Sequence, residues 1–142
     1  MSRMMRKQYT LKVYPDGKGR EVYRNIEICG NNTLDQLCGI IMYAFDFLDE
    51  HLYEFCMDNR AYSENAYQSR PEYDEPSTDI TLDEVGLSKG QKFTLHYDFG
   101  DDWMFRITVM KISEVQEESE PRIVKSKGEI QQYPEIDDSL FY

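Results

Sequence analysis

Residues 92–112, KFTLHYDFGDDWMFRITVMKI, constrain the fold more than any other stretch of the chain. Phe93, Leu95 and Tyr97 alternate with their neighbours, and Phe105, Ile107 and Val109 repeat the pattern after Gly100-Asp101-Asp102. Period-two alternation on both sides of a turn cluster means an antiparallel hairpin with one apolar face. Successive side chains of a strand point to opposite faces. Both apolar sets therefore share a face only if paired positions sum to an even number. Pairing Tyr97 with Phe105 and Leu95 with Ile107 meets that condition, whereas a one-residue slip would bury His96 instead. This register predicts Thr94, His96, Asp98, Arg106 and Thr108 on the other face, with His96 facing Arg106.

A second hairpin opens the chain. Tyr9, Leu11 and Val13 alternate in 8–14, and Val22, Ile26 and Ile28 share a face in 21–28, around the turn cluster Pro15-Asp16-Gly17-Lys18-Gly19. Thr33-Leu34-Asp35-Gln36 fits a capping box, in which the Thr hydroxyl and the Gln amide satisfy orphan amides of a helix start. Leu34, Leu37, Cys38, Ile41, Met42 and Phe45 follow at helical spacing, which predicts a helix over about 33–47 lying on the sheet. Residues 51–57 predict a third strand. Residues 58–79, polar and carrying Pro71 and Pro76, predict a long loop, and 80–87 a short strand or a single helical turn. The expected fold class is α+β: a mostly antiparallel sheet of about five strands with the main helix packed on one face. Residues 1–126 form the expected single domain, and 127–142 a peripheral acidic tail with an apolar tip at Leu140-Phe141-Tyr142.

Composition limits the function. The chain has 142 residues, 40% hydrophobic and 13% aromatic, enough for one packed domain despite 30% charged residues. Cys29, Cys38 and Cys56 form no CxxC pair and are odd in number, which fits reduced thiols in a cytoplasmic compartment. No apolar h-region follows the basic N-terminal residues, and no stretch approaches the roughly 18 apolar residues of a membrane span. Net charge is −11, but residues 1–24 hold seven Lys/Arg against two Asp/Glu. An acidic balance over the rest of the chain disfavours nucleic acid, whose phosphates it repels. It favours a basic protein partner.

The candidate chemistry is sparse. Asp98, Asp101 and Asp102 cluster around the hairpin turn, yet DFGDD matches neither an EF-hand loop nor a kinase signature, and Asp and Gly also favour turns for backbone reasons. Arg24 shares a strand face with Val22 and Ile26, and so needs a carboxylate partner or a route to water; Asp98 or Asp101 is the expected partner. His51 and His96 are the only histidines, too few for a zinc site. Trp103 beside the turn suits core packing or a partner anchor. No metal site or cofactor is expected.

The constellation resembles a known family. VYRNIEI (22–28), TLDQLCGIIMYAFDFLDEHLYEFC (33–56) and YDFGDDWMFRITVMKI (97–112) are similar to the plasmid pRi ORF-three-like family, with the matching spread over residues 9–112. The resemblance implies an α+β domain carried on plasmids, other mobile elements and chromosomes, without an established activity. Many members continue into a cysteine-bearing segment resembling CPPEDCGG. This chain has SKGEIQQYPEIDD instead, so a metal or redox role attached to that segment does not carry over. Met104-Phe105 stands where members often have an acidic residue and His.

Two functions follow as expectations. The first is a non-catalytic interaction or adaptor module for a basic protein partner. The alternative is a small-ligand binder or enzyme, with a pocket near the DFGDD turn formed by Arg24, His51, Asp98, Asp101 and Trp103.

Overall fold

The computed structural model describes residues 5–133. In chain order the elements are β1 (Arg6–Pro15), β2 (Tyr23–Cys29), α1 (Leu34–Phe45), β3 (Tyr53–Cys56), β4 (Ala66–Gln68), α2 (Leu82–Val85), β5 (Lys92–Tyr97), β6 (Trp103–Val115) and β7 (Arg122–Lys127). All seven strands join one sheet in the order β4-β3-β5-β6-β1-β2-β7, and every strand pairing is antiparallel.

This corrects the expected fold class. Among the described residues the chain forms a mostly antiparallel seven-stranded sheet with two short helices of 12 and four residues, not about five strands with a main packed helix. The two unforeseen strands are the outermost ones. Neither has an apolar alternation, because an edge strand of this kind buries little. β7 is exposed along most of its length, and β4 is a three-residue strand inside the polar, proline-bearing segment that predicts only loop.

One face of the sheet carries the core. Tyr9, Leu11, Val13, Ile26, Ile28, Phe55, Phe93, Leu95, Tyr97, Phe105, Ile107 and Val109 are buried there with the apolar stripe of α1. Thr33 caps α1 with its hydroxyl accepting from the Gln36 amide at 3.1 Å, and the Gln36 side chain accepts from the Thr33 amide at 2.8 Å. The helix ends at Phe45, two residues short of the expected boundary, because Asp46 takes the left-handed conformation and its N–H closes the last turn. Residues 82–85 form the single helical turn α2, capped by Thr81.

The parity of the β5–β6 hairpin is the one expected, but the register is shifted by two residues. Tyr97 pairs with Trp103, Leu95 with Phe105 and Phe93 with Ile107. His96 therefore faces Met104, and Arg106 faces Thr94. A shift of two preserves faces, so alternation alone does not distinguish the two registers.

The far end of the sheet depends on Gly128, just beyond β7, at φ +68°. A Cβ there would stand 2.2 Å from the Glu21 carbonyl oxygen. Backbone strain and this overlap act together, so Gly128→Ala is expected to cost about 2–3 kcal/mol. Urea denaturation reads this directly. A variant within about 0.5 kcal/mol of wild type would show that β7 detaches from Glu21 freely.

Candidate functional site

The turn between β5 and β6 organises two polar groups, one on each side of the sheet. Asp98 and Asp102 both adopt positive φ, at 64° and 52°. The Asp98 carboxylate accepts from the amides of Gly100 at 3.0 Å and Asp101 at 3.3 Å, and the Asp102 amide donates to the Asp98 carbonyl at 2.6 Å. Asp side chains that bond the amides ahead of them stabilise tight turns. Asp98 is thus a turn-former, and its own amide donates to the Leu52 carbonyl at 2.9 Å.

On the core side this turn meets the α1–β3 loop. The Tyr97 hydroxyl donates to the Leu48 carbonyl at 2.6 Å and accepts from the amides of Glu50 and His51. That one buried phenol fixes the loop. His51 Nε2 lies 3.5 Å from carboxylate oxygens of both Asp98 and Glu50, and 2.6 Å from the Tyr133 hydroxyl, which donates to Glu50. Desolvation and then the bond to Glu50 push the Tyr133 hydroxyl up to about 12. Gln132 is buried, with its side-chain oxygen accepting from the Leu48 amide at 2.7 Å. A shallow cavity of about 320 Å³ opens beside this contact, lined by Asp46, Leu48, Ile130, Gln131, Gln132 and Tyr133. The apolar tip at 140–142 lies outside the described residues.

On the opposite face lies a group that the sequence did not assemble. His96 is fully buried, with Nδ1 at 2.7 Å from Glu54 and Nε2 at 2.6 Å from Asp102. Both ring nitrogens are thus engaged by carboxylates, one from β3 and one from the β5–β6 turn. Glu54 also accepts from the Tyr62 amide at 2.8 Å and from Gln68 at 2.9 Å. Burial drives its carboxyl pKa upward, but the bonds from His96, Tyr62 and Gln68 outweigh burial and hold it below the usual range. The rings of Tyr62 and Phe99 close over His96 at 5.0 and 4.9 Å. With both nitrogens engaged and no solvent access, His96 has no ring nitrogen free to meet a substrate.

The expected site residues are placed as follows. His51 and Asp98 come together. Asp101 is exposed on the same turn, touching Asp98 through its amide. Trp103 packs on Phe47 at 4.9 Å and Phe105 at 6.1 Å, and its Nε1 is buried without a partner. Arg24 is engaged elsewhere. Its guanidinium lies over the Phe45 ring at 4.7 Å and donates to the carbonyls of Ala44, Tyr23 and Lys127 at 2.8–2.9 Å. Among the described residues it forms no ion pair with Asp98 or Asp101. Burial lowers its pKa, and the charge of Glu129 opposes that shift.

Cys29, Cys38 and Cys56 are free and buried. Burial, then Glu54, pushes the Cys56 thiol up to about 12, so it is held as an unreactive thiol. Among the described residues no group of three or more His, Cys, Asp or Glu converges in a way that could hold a metal ion. No described helix is long and apolar enough to cross a membrane.

A family model described as plasmid pRiA4b ORF-3-like protein matches residues 7–135. The chain belongs to that family. A solved structure similar to this pRiA4b ORF-3-like chain is a protein of unknown function from Methanosarcina mazei Go1. The two are 26% identical, with a TM-score of 0.68 over 87% of this chain and 70% of the other. No curated protein matches the chain. The family boundary at residue 135 takes in β7 and the Gln132–Tyr133 contact with the α1–β3 loop. The residues that tie the molecule's end together therefore lie within the family's span.

Proposed function

We propose that this pRiA4b ORF-3-like domain is a non-catalytic interaction module whose acidic rim around His51 receives a basic protein partner. The observation that carries this reading is an apolar group exposed within a one-sign rim. Leu48, Leu52 and Tyr133 are 60%, 46% and 47% exposed, and Asp46, Asp49, Glu50 and Asp101 are exposed beside them. No Lys or Arg occurs in 45–52 or 97–102. Apolar anchors ringed by like charges favour a partner with the opposite charge and a complementary apolar patch. The closed environment of His96 adds support, because it leaves the best-built polar network without access to a substrate. The small-ligand alternative has less support, since Arg24 commits its Nε and Nη1 donors to backbone carbonyls and forms no pair with Asp98 or Asp101 among the described residues.

The test is affinity capture from a lysate of the source cells, using wild type and the exposed-residue variant Asp49→Lys/Glu50→Lys. Wild type is expected to hold a defined basic protein at about 50 mM salt, to release it by about 500 mM, and to retain about ten times more than the variant. Equal capture by the two proteins would refute the rim as the docking surface.

A further inference from the structure

The sheet face opposite the core carries a second, oppositely charged feature. Side chains of β1 alternate, so Lys12 and Tyr14 point away from the buried Leu11 and Val13. Lys12 pairs with Thr108 of β6, and Thr108 pairs with Lys92 of β5. Three adjacent strands thus present a row of lysine, threonine and lysine. The β1–β2 turn stands beside this row and is internally fixed, with the amides of Glu21 and Val22 donating to the Lys18 carbonyl at 2.9 Å. Together they enclose an open cavity of about 510 Å³ whose lining includes Lys12, Lys18, Arg20 and Lys92, with Glu21 as the one carboxylate. A smaller cavity of about 160 Å³ shares Tyr14, Lys92 and Thr108 with it and continues to Arg106.

The charge arrangement is the informative part. The chain carries −11 overall, yet four cations face one cavity. Among the described residues none of Lys12, Lys18, Arg20 or Lys92 is in an ion pair. Lys12 instead lies over the Tyr23 and Tyr14 rings at 4.8 and 5.4 Å, which holds its ammonium near the row. Like charges gathered this way repel one another, and a bound polyanion removes that cost. One carboxylate would neutralise one cation and leave three. A diphosphate or triphosphate matches the count, and the cavity volume lies within the range of small-molecule sites. Gly17 in the cavity wall has open space where a side chain would stand, which leaves the turn backbone there open to close approach by phosphate oxygens.

The geometry points to a binding site for a phosphorylated small molecule of nucleotide size, held by Lys12, Lys92, Lys18 and Arg20 across the β1–β6–β5 surface. This site lies on the opposite face from the core and involves none of the rim residues around His51, so either assignment stands without the other.

The experiment is isothermal titration of the full chain with sodium pyrophosphate and, separately, with ATP, for wild type and for Lys12→Gln/Lys92→Gln. Both lysines are on the surface side of the sheet, and an unchanged melting temperature confirms that the variant is folded. Saturable wild-type binding of either probe is expected, weakened about tenfold or more in the double variant and weakened again by added salt. Binding of pyrophosphate and ATP alike identifies the phosphates as the recognised group, and tighter ATP binding adds the nucleoside. Absence of binding by both probes overturns the assignment. So does equal binding by wild type and variant, and so does a single-stranded oligonucleotide that binds through these lysines when neither small probe does.

Discussion

His96→Leu is expected to destabilise the domain by about 3–5 kcal/mol at neutral pH, because it strands a charge inside the fold. Glu54 is as buried as His96 and lies 2.7 Å from it. Removing the imidazole leaves a desolvated carboxylate with only the Tyr62 amide and Gln68 to hold it. The pH dependence identifies the cause. In wild type the folded-state pKa of Glu54 is depressed, so its contribution is present above the ordinary carboxylate range and is lost as pH falls through the folded value. In His96→Leu the His96 share of that depression is gone and burial is opposed only by the Tyr62 and Gln68 bonds, so the pKa rises and protonation on acidification relieves the variant while it harms wild type. The stability gap between the two should therefore shrink steadily from pH 7 toward pH 4. Replacing both partners, as Glu54→Leu/His96→Leu, should cost less than the single change, since no unpaired charge remains. Urea unfolding at several pH values measures all of this. A single variant as stable as wild type at pH 7 would mean that the triad contributes nothing to the fold.

How much of this was legible in the sequence depends on whether the information was local. Phe93, Leu95, Ile107 and Val109 are buried as their alternation requires, because period two assigns faces without reference to anything distant. The register then slipped by two, since five turn residues, 98–102, separate β5 from β6 and their geometry rests on Asp98 and Asp102 at positive φ. A two-residue shift keeps every apolar side chain on its face, and hydropathy offers no penalty for it. β4 and β7 escaped for the opposite reason. They pair at the sheet margins, where burial is slight, so their sequences carry composition and no pattern. The Glu54–His96–Asp102 group combines a non-local pairing, β3 against β5, with a turn residue whose side chain folds back. The parity of HLYEF and KFTLHY put Glu54 and His96 on polar faces, but only the observed order β3-β5 sets them opposite each other. The rim around His51 was half visible. His51, Asp98 and Asp101 stood out as polar residues near a turn, while Tyr133 reaches them from a segment that the sequence assigned to a peripheral tail.

Arg24 is where a buried charge was anticipated and the wrong partner expected, and its replacement should be the other large effect. A guanidinium on an apolar face suggests a carboxylate, yet the fold supplies carbonyl oxygens. Helix α1 has no basic residue in its last turn, and its terminal carbonyls lack intrahelical donors. Arg24 reaches across from β2 to donate to one of them, Ala44, while its Nη1 bonds the carbonyls of Tyr23 and Lys127. One side chain thus ties the C-terminal end of the helix to the last residue of β7. Its planar fork suits this task, whereas a lysine ammonium is a point donor on a flexible stem. Arg24→Met keeps the apolar contact with Phe45 but removes three hydrogen bonds donated to backbone carbonyls, at an expected cost of about 2–4 kcal/mol. A chain of this length should lose roughly 3–5 °C of melting temperature per kcal/mol. Arg24→Lys should restore a minor part of the loss. Hydrogen exchange locates the effect: amides of β7, an edge strand held at Lys127 by this arginine, should exchange faster before those of β5 and β6 change. Wild-type melting together with undisturbed β7 protection would assign Arg24 to something other than holding these elements together.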